Sequence, residues 1–488
     1  MNGVNRKWYD GMAYQEDWWA VWLGLIMFCA GLLSIWGIDA VGWFAKPTTW
    51  VWGEAGVFYK ASGKAYKGMS QITSIGITYI VWTGLVCMGA YFQKLNMKKF
   101  FLGWTCLFVI TYVSVAVGFE AHLSAPINKW GKYGLTWGLS LGSGVAFILC
   151  LIVGLIIGNF IKPLAAFMRE ACKPEWYIKT AIVYLGIKVG VMSMEAAGMT
   201  FELALAGACA TFVAYLLFWP IIYVMARKMF RLPREWAAVL CSGISICGVS
   251  AAIATGGAIR AKPIIAVMVS MLIVVYAMIE LIVLPGFYNA VAPDQPIVNG
   301  AAMGMTVKTD GADAAAGAIL DELMVAQAAA RGINWEPDWI LTASIMTKIW
   351  IDMFIGLWAF VLAIIWVYKV DKQPGTSTVA ASEIWFRFPK FVLGYVFCWF
   401  FYVAIAMFAP DIIKAAGVGA GTVQSPMRKF MFMVTFVAMG CITDFSKLKG
   451  MGRLALLYGV ALVVIIAPIA YAVAYIFHAG MMPPLVGS

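Results

Sequence analysis

Two stretches of the 488-residue chain repeat one pattern, G-x-[ST]-[IV]-x4-A-x2-A-x-G, without gaps. The first runs from Gly243 through Ser245, Ile246, Ala251 and Ala254 to Gly256; the second runs from Gly304 through Thr306, Val307, Ala312 and Ala315 to Gly317. Glycine weakens a helix, and Ser or Thr side chains compete for its backbone groups, so each copy is expected to interrupt the helix that carries it. A broken membrane helix exposes unpaired N–H groups and the positive end of its second half, which is where an anion binds. The substrate-binding candidates are therefore Gly243, Ser245, Ile246, Cys247, Gly248 and Ser250 in the first copy, and Gly304, Thr306 and Lys308 in the second. Lys188 would add balancing charge. The competing reading is structural, with the small residues only letting helices approach closely.

Charged side chains inside apolar runs are the next candidates, since each costs about 2.5–3.5 kcal/mol at a helix centre. Lys188 sits mid-segment and needs a partner or an anion. Lys348 and Asp352 are four apart on one helix face and are expected to neutralise each other. Asp310, Asp313, Lys348 and Asp352 are the candidate coupling-ion residues. Glu280 and Asp444 lie near segment ends, where solvated interfacial positions are expected. Arg260 and Lys262 are expected to anchor a helix end. Trp18, Trp19, Trp43, Trp50, Trp52, Trp335 and Trp339 sit at segment ends, as an interfacial aromatic belt would. Ten cysteines with no CxxC pair in the apolar runs and two histidines, His122 and His478, indicate neither a disulfide framework nor a metal site, and no cofactor is expected. HExxH, Walker A and GxSxG motifs are absent, so an enzyme is not expected.

These residues need elements that cross a bilayer. The chain is 63% apolar and 12% charged, which excludes ordinary soluble classes. Its net charge of +11 fits cytoplasmic loops better than nucleic-acid binding. Segments long enough to span fall at 18–38, 72–93, 100–119, 135–161, 178–196, 202–226, 237–259, 263–285, 339–368, 390–409, 427–444 and 454–477, with a polar thirteenth at 304–330. Counting the thirteenth and placing the N-terminus inside puts most Lys and Arg in inside loops, among them 1–17, 162–177, 286–303 and 445–453. Leu185-Gly186 running to Gly198 also resembles Met439-Gly440 running to Gly452, on segments of opposite direction, as an inverted repeat requires. The fold expected is an all-α polytopic membrane protein of about 12–13 transmembrane helices, an inverted-repeat transporter with two discontinuous helices crossing near the midplane. Its parts are an extra N-terminal helix and loop at 1–71, a first half at 72–285 and a second at 286–488.

The run Cys241 to Ala254 resembles the G-T-S-I-C-G-A-S-A signature of the sulfate-exporter (YeiH-like) family of bacterial inner-membrane proteins. Gly154 to Asn159 before Pro163, Leu185-Gly186-Ile187-Lys188, and Met439-Gly440 through Thr443-Asp444-Phe445 resemble further family motifs, over roughly 135–477. Three features depart from it. The family's G-A-S-V-H-E-V-A-Q corresponds to Gly304 through Ala312 with the His-Glu pair and Gln missing; its K-x-x-R helix is represented by Lys348 with Asp352 and no Arg; and 1–71 falls outside the pattern. The resemblance implies a secondary transporter in the bacterial inner (plasma) membrane, carrying a small anion such as sulfate, sulfite or a sulfonate, with a cargo different from the family's expected from the departures; the loop charges place the N-terminus in the cytoplasm. The alternatives are a Na+/H+-coupled cation antiporter of the same architecture, using Asp310, Asp313 and Asp352, and an ion channel. Expected partners are the anion, membrane lipid, a coupling Na+ or H+ and a second copy in a homodimer, with no nucleic acid.

Overall fold

Long apolar runs can satisfy their backbone in hydrocarbon by forming helices, and helices dominate the computed structural model of the chain. The structure describes residues 9, 11–52, 57–125, 127–139, 145–195, 197–259, 261–366, 385, 389–448 and 451–486. In order, its principal elements are α1 (Glu16–Leu32), β1 (Ala45–Pro47), β2 (Tyr59–Ala61), α2 (Gln71–Phe92), α3 (Met97–Gly118), α4 (Val145–Phe160), α5 (Pro174–Glu195), α6 (Ala197–Lys228), α7 (Arg234–Ser245), α8 (Val249–Ala258), α9 (Pro263–Val291), α10 (Pro296–Thr306), α11 (Asp310–Ala330), α12 (Trp339–Ile365), α13 (Phe391–Phe408), α14 (Ile413–Thr422), α15 (Arg428–Ile442) and α16 (Gly452–His478). Ser70 and Asn96 cap α2 and α3 by accepting the Thr73 and Lys99 amides, each at 3.1 Å. Prolines 263 and 296 open α9 and α10, where the missing N–H costs nothing.

Among the described residues seven helices are each long and apolar enough to cross a membrane, or eight if α4 and the short helix Lys162–Met168, bent at 111°, form one span. The chain is thus an all-α, multi-pass membrane protein. The larger sequence count includes segments that the structure interrupts or loads with buried charge. Three boundaries need correction. The stretch 286–303, expected to be a loop, contains most of α10, which is wholly buried. The span ended at 285 continues through Pro285 to Val291. The span begun at 135 carries no helix over 135–139, and its described helix begins at Val145.

Two helix pairs pack most extensively, α5 with α13 and α4 with α15, and glycine lets them touch. A Cβ on Gly186 or Gly190 would strike the backbone of Tyr395 or Trp399, and one on Gly154 or Gly158 would strike that of Val437 or Gly440. Asp17, in the first turn of α1, pins that helix to the bundle through Lys179 at 2.8 Å and the Lys390 amide at 3.3 Å. The aromatic belt is corrected too. Trp18, Trp19, Trp335 and Trp339 are buried, because loops and neighbouring helices cover these helix ends.

Candidate functional site

The two motif copies end their helices at matching positions. Helix α7 stops at Ser245 and α8 begins at Val249; α10 stops at Thr306 and α11 begins at Asp310. Gly248 supplies the turn in the first interruption, at φ +66°, which a side-chain-bearing residue adopts only under strain. It is also pressed against the second interruption, since a Cβ at Gly248 would collide with the Lys308 carbonyl. The breaks therefore touch. Gly243 and Gly304 serve the same closeness, the first beside Ile273 and the second against the Ser344 backbone of α12.

Helix α12 lies across both interruptions. Its residues Ser344, Lys348 and Asp352 recur every four positions and so share one face. The Lys348 ammonium donates to the Ile246 carbonyl at 3.2 Å and to the Val307 carbonyl at 3.0 Å, one from each break. The Ser344 hydroxyl donates to Asp313 at 2.7 Å. The sulfur of Cys247 and carboxylate oxygens of Asp310 and Asp352 lie within 4.8 Å of one another, all buried. The contacts of these carboxylates stay inside the trio: Asp352 meets the Asp310 carboxyl and the Cys247 thiol, and no other side chain among the described residues donates to it. That trio has ligand types and spacing able to hold a cation. Lys348 and Asp352 remain electrostatic neighbours, but the ammonium gives its hydrogen bonds to the two breaks and makes no direct ion pair with Asp352.

The helix-terminus chemistry differs between the copies. The start of α11 is capped by Thr309, which accepts the Ala312 amide at 3.1 Å, and its first turn carries Asp310 and Asp313. Those carboxylates already face the positive helix end. At the start of α8 no side chain among the described residues caps the amides. Ser245, just before that break, is buried with its hydroxyl unpartnered, whereas its counterpart Thr306 donates to Ala302 at 2.7 Å and meets Tyr288 at 3.1 Å. Cavities of about 300 Å³ and 240 Å³ both reach Val249, the first residue of α8; the smaller also reaches Thr309 and opens past Glu16, Lys173 and Glu175. The side chain of Ser250, and Arg260, lie outside the described residues. Lys262 is exposed where α9 begins.

Two lysines are placed differently from expectation. The Lys308 ammonium turns back to the Met305 carbonyl and lies 4.9 Å from the Phe218 ring centre. Lys188 is 3.5 Å from Glu336, in the turn before α12, so its charge is matched by the protein itself and not by the breaks. Glu280 overturns the interfacial reading. It is 1% exposed and accepts the Lys308 amide at 3.3 Å and the Tyr458 hydroxyl at 2.9 Å. Pro285 made the α9 segment look finished near Glu280, although a buried helix tolerates proline where neighbours satisfy its backbone. Asp444 is where it was expected, partly exposed and 3.0 Å from Lys162. A second buried charge cluster escaped the sequence. Asp321 accepts amides of Asp338, Ile340 and Leu341 at 2.9, 3.0 and 3.3 Å, while Arg428 pairs with Asp338 at 2.9 Å.

Residues 140–459 match the family model described as Conserved hypothetical protein 698. A UPF0324 membrane protein of Nitrosomonas europaea is 60% identical over 488 residues, covering 99% of this chain and 100% of that one. The chain belongs to the UPF0324 membrane protein family. Another UPF0324 membrane protein, of Nitratidesulfovibrio vulgaris, is 30% identical over 390 residues, 78% of this chain and 60% of that protein. One of Rhodopirellula baltica is 33% identical over 307 residues, 61% of this chain and 51% of that protein. None of these names gives a cargo. No solved structure matches. The part of this UPF0324 chain that the family model leaves out at its start holds α1 to α3 and the β1–β2 hairpin, a region within the alignment to the Nitrosomonas relative.

Proposed function

We propose that this UPF0324 protein is a secondary transporter that works by alternating access about its two touching helix breaks, not an enzyme. One observation carries the reading: a single buried ammonium, Lys348, holds a carbonyl from each break, beside the clustered buried carboxylates of Asp310 and Asp352. Unwound carbonyls and buried carboxylates are the groups that bind Na+ or H+ at discontinuous helices. A proton or cation taken up between Asp310 and Asp352 weakens their hold on Lys348 and so frees the two breaks to part. This is the coupling chemistry.

A small oxyanion, such as sulfate, sulfite or a sulfonate, is the cargo reading. It is favoured by the Ser245 hydroxyl, which has no partner among the described residues, and by the uncapped start of α8, whose first residue, Val249, lines both cavities. An inverted repeat of α5 and α15 belongs to the same proposal, and it draws support from Gly186 and Gly440, each of which lies against the backbone of a neighbouring helix. The cavities at Val249 are bordered by Glu16, Lys173 and Asp444, which lie on or beside loops assigned to the cytoplasmic face, giving an inward-open path to the breaks. The test is uptake of radiolabelled sulfate, sulfite and a sulfonate by proteoliposomes under imposed pH and Na+ gradients. Gradient-dependent uptake that is lost in Asp352→Asn and Ser245→Ala supports the reading. Flux of Na+ or H+ without any anion would assign the alternative antiporter, and gradient-independent conduction would refute a coupled carrier.

A further inference from the structure

A further cavity lies away from the breaks. It encloses about 650 Å³ between the β1–β2 hairpin, the end of α3 and the α14–α15 junction, within the size range of small-molecule sites. Phe44, Tyr59, Tyr112 and Phe430 form an aromatic wall. The tyrosine hydroxyls are already spent inside the protein, Tyr59 on the Tyr112 carbonyl at 2.6 Å and Tyr112 on the Ala45 carbonyl at 3.4 Å, so the rings present apolar faces.

The charges around this wall are unbalanced. Lys46, Lys64 and Lys429 line it, against one carboxylate, Asp39. Asp39 accepts the Gly42 amide at 2.7 Å, and Lys429 is 2.7 Å from Glu322. Among the described residues no carboxylate lies within ion-pair distance of Lys46 or Lys64. The hairpin register sets Lys46 directly opposite Lys60, and like charges across a strand pair are destabilising. Burial, then the Lys60 charge, push the Lys46 ammonium below its ordinary range.

We infer that this cavity binds an organic anion, its sulfonate or carboxylate head against Lys46 and Lys64 and its apolar body on the aromatic wall. The inference is independent of the twin-break reading, because no residue is shared between the two sites. An anionic lipid offers the same chemistry as a soluble anion, a charged head on an apolar body. The probe is naphthalene-2-sulfonate, titrated by calorimetry into the purified protein in nanodiscs of zwitterionic lipid. Saturable binding is expected, weaker at raised salt, and weakened roughly tenfold in the Lys46→Gln/Lys64→Gln variant, as loss of two partly solvated ion pairs implies. Lys46→Arg should retain it, and an unchanged melting temperature shows that the double variant is folded. Repeating the titration in nanodiscs containing phosphatidylglycerol distinguishes the sources: competition assigns a lipid occupant, and unchanged binding assigns a soluble one. Absence of saturable binding in zwitterionic discs, or binding indifferent to the two lysines, overturns the site.

Discussion

Replacing Lys348 by Met keeps the length of the side chain and removes only the ammonium. Two buried carbonyls, of Ile246 and Val307, then lose their donor, at about 1–3 kcal/mol each. The carboxylates of Asp310, Asp313 and Asp352 lose a neighbouring cation as well, and breaking a buried charge pairing typically costs about 3–5 kcal/mol. The two contributions overlap, so a total of about 3–5 kcal/mol is expected. Thermal unfolding of the purified protein in detergent should show a clearly lowered midpoint. Site-resolved alkylation should show faster reaction at Cys247, which is buried between the breaks in the intact protein. The decisive comparison is the double variant Lys348→Met/Asp352→Asn. If the ammonium balances that carboxylate, the double variant melts higher than additivity allows, by a coupling of about 0.5–3 kcal/mol. A Lys348→Met protein as stable as the parent, or strictly additive losses, would refute the role given to Lys348.

Gly248→Val should give little folded protein on size-exclusion chromatography, because the substitution combines a positive φ with a collision at the Lys308 carbonyl, a penalty of at least about 1–3 kcal/mol. Asp321→Ala should lower the melting midpoint by an amount equivalent to about 1–3 kcal/mol, since it strips the amides at the start of α12 of their acceptor, while the half-saturating anion concentration in proteoliposomes stays unchanged. Lys162→Gln should shift stability by less than about 1 kcal/mol at neutral pH, as exposed pairs do. The Ser446 hydrogen bond and then Lys162 hold Asp444 down at about 2. With the folded value lowered, its stabilisation is complete above roughly pH 4, the ordinary carboxylate value, and fades as pH falls towards 2; melting curves between about pH 5 and 8 should therefore show no pH dependence from this pair.

Where α7 and α10 end was legible because the causes are local. Aligning the motifs pairs Ser245 with Thr306, and these are the last helical residues before each interruption. Gly, Ser and Thr act on their own turn of helix, so a short pattern carries the information. The charge partners were not legible, because they arrive from far along the chain. Glu280 meets Tyr458, 178 residues away, and Lys188 meets Glu336. Lys348 could be matched to Asp352 by spacing, but its bonds to Ile246 and Val307 depend on how α12 crosses the breaks. Helices α10 and α14 were overlooked for another reason: they are short and rich in small residues, so a search for long apolar runs passes over both.

The four-residue rhythm of Ser344, Lys348 and Asp352 has a mechanical consequence. If α12 slid along its own axis by a single turn, about 5.4 Å, the stud now gripping both carbonyls would be exchanged for its neighbour: a hydroxyl in one direction, a carboxylate in the other. Small glides of that kind are known ways for packed rods to click between two settings. One ratcheting rod could thus turn an attractive clasp between the interruptions into a repulsive one, without either interruption having to refold.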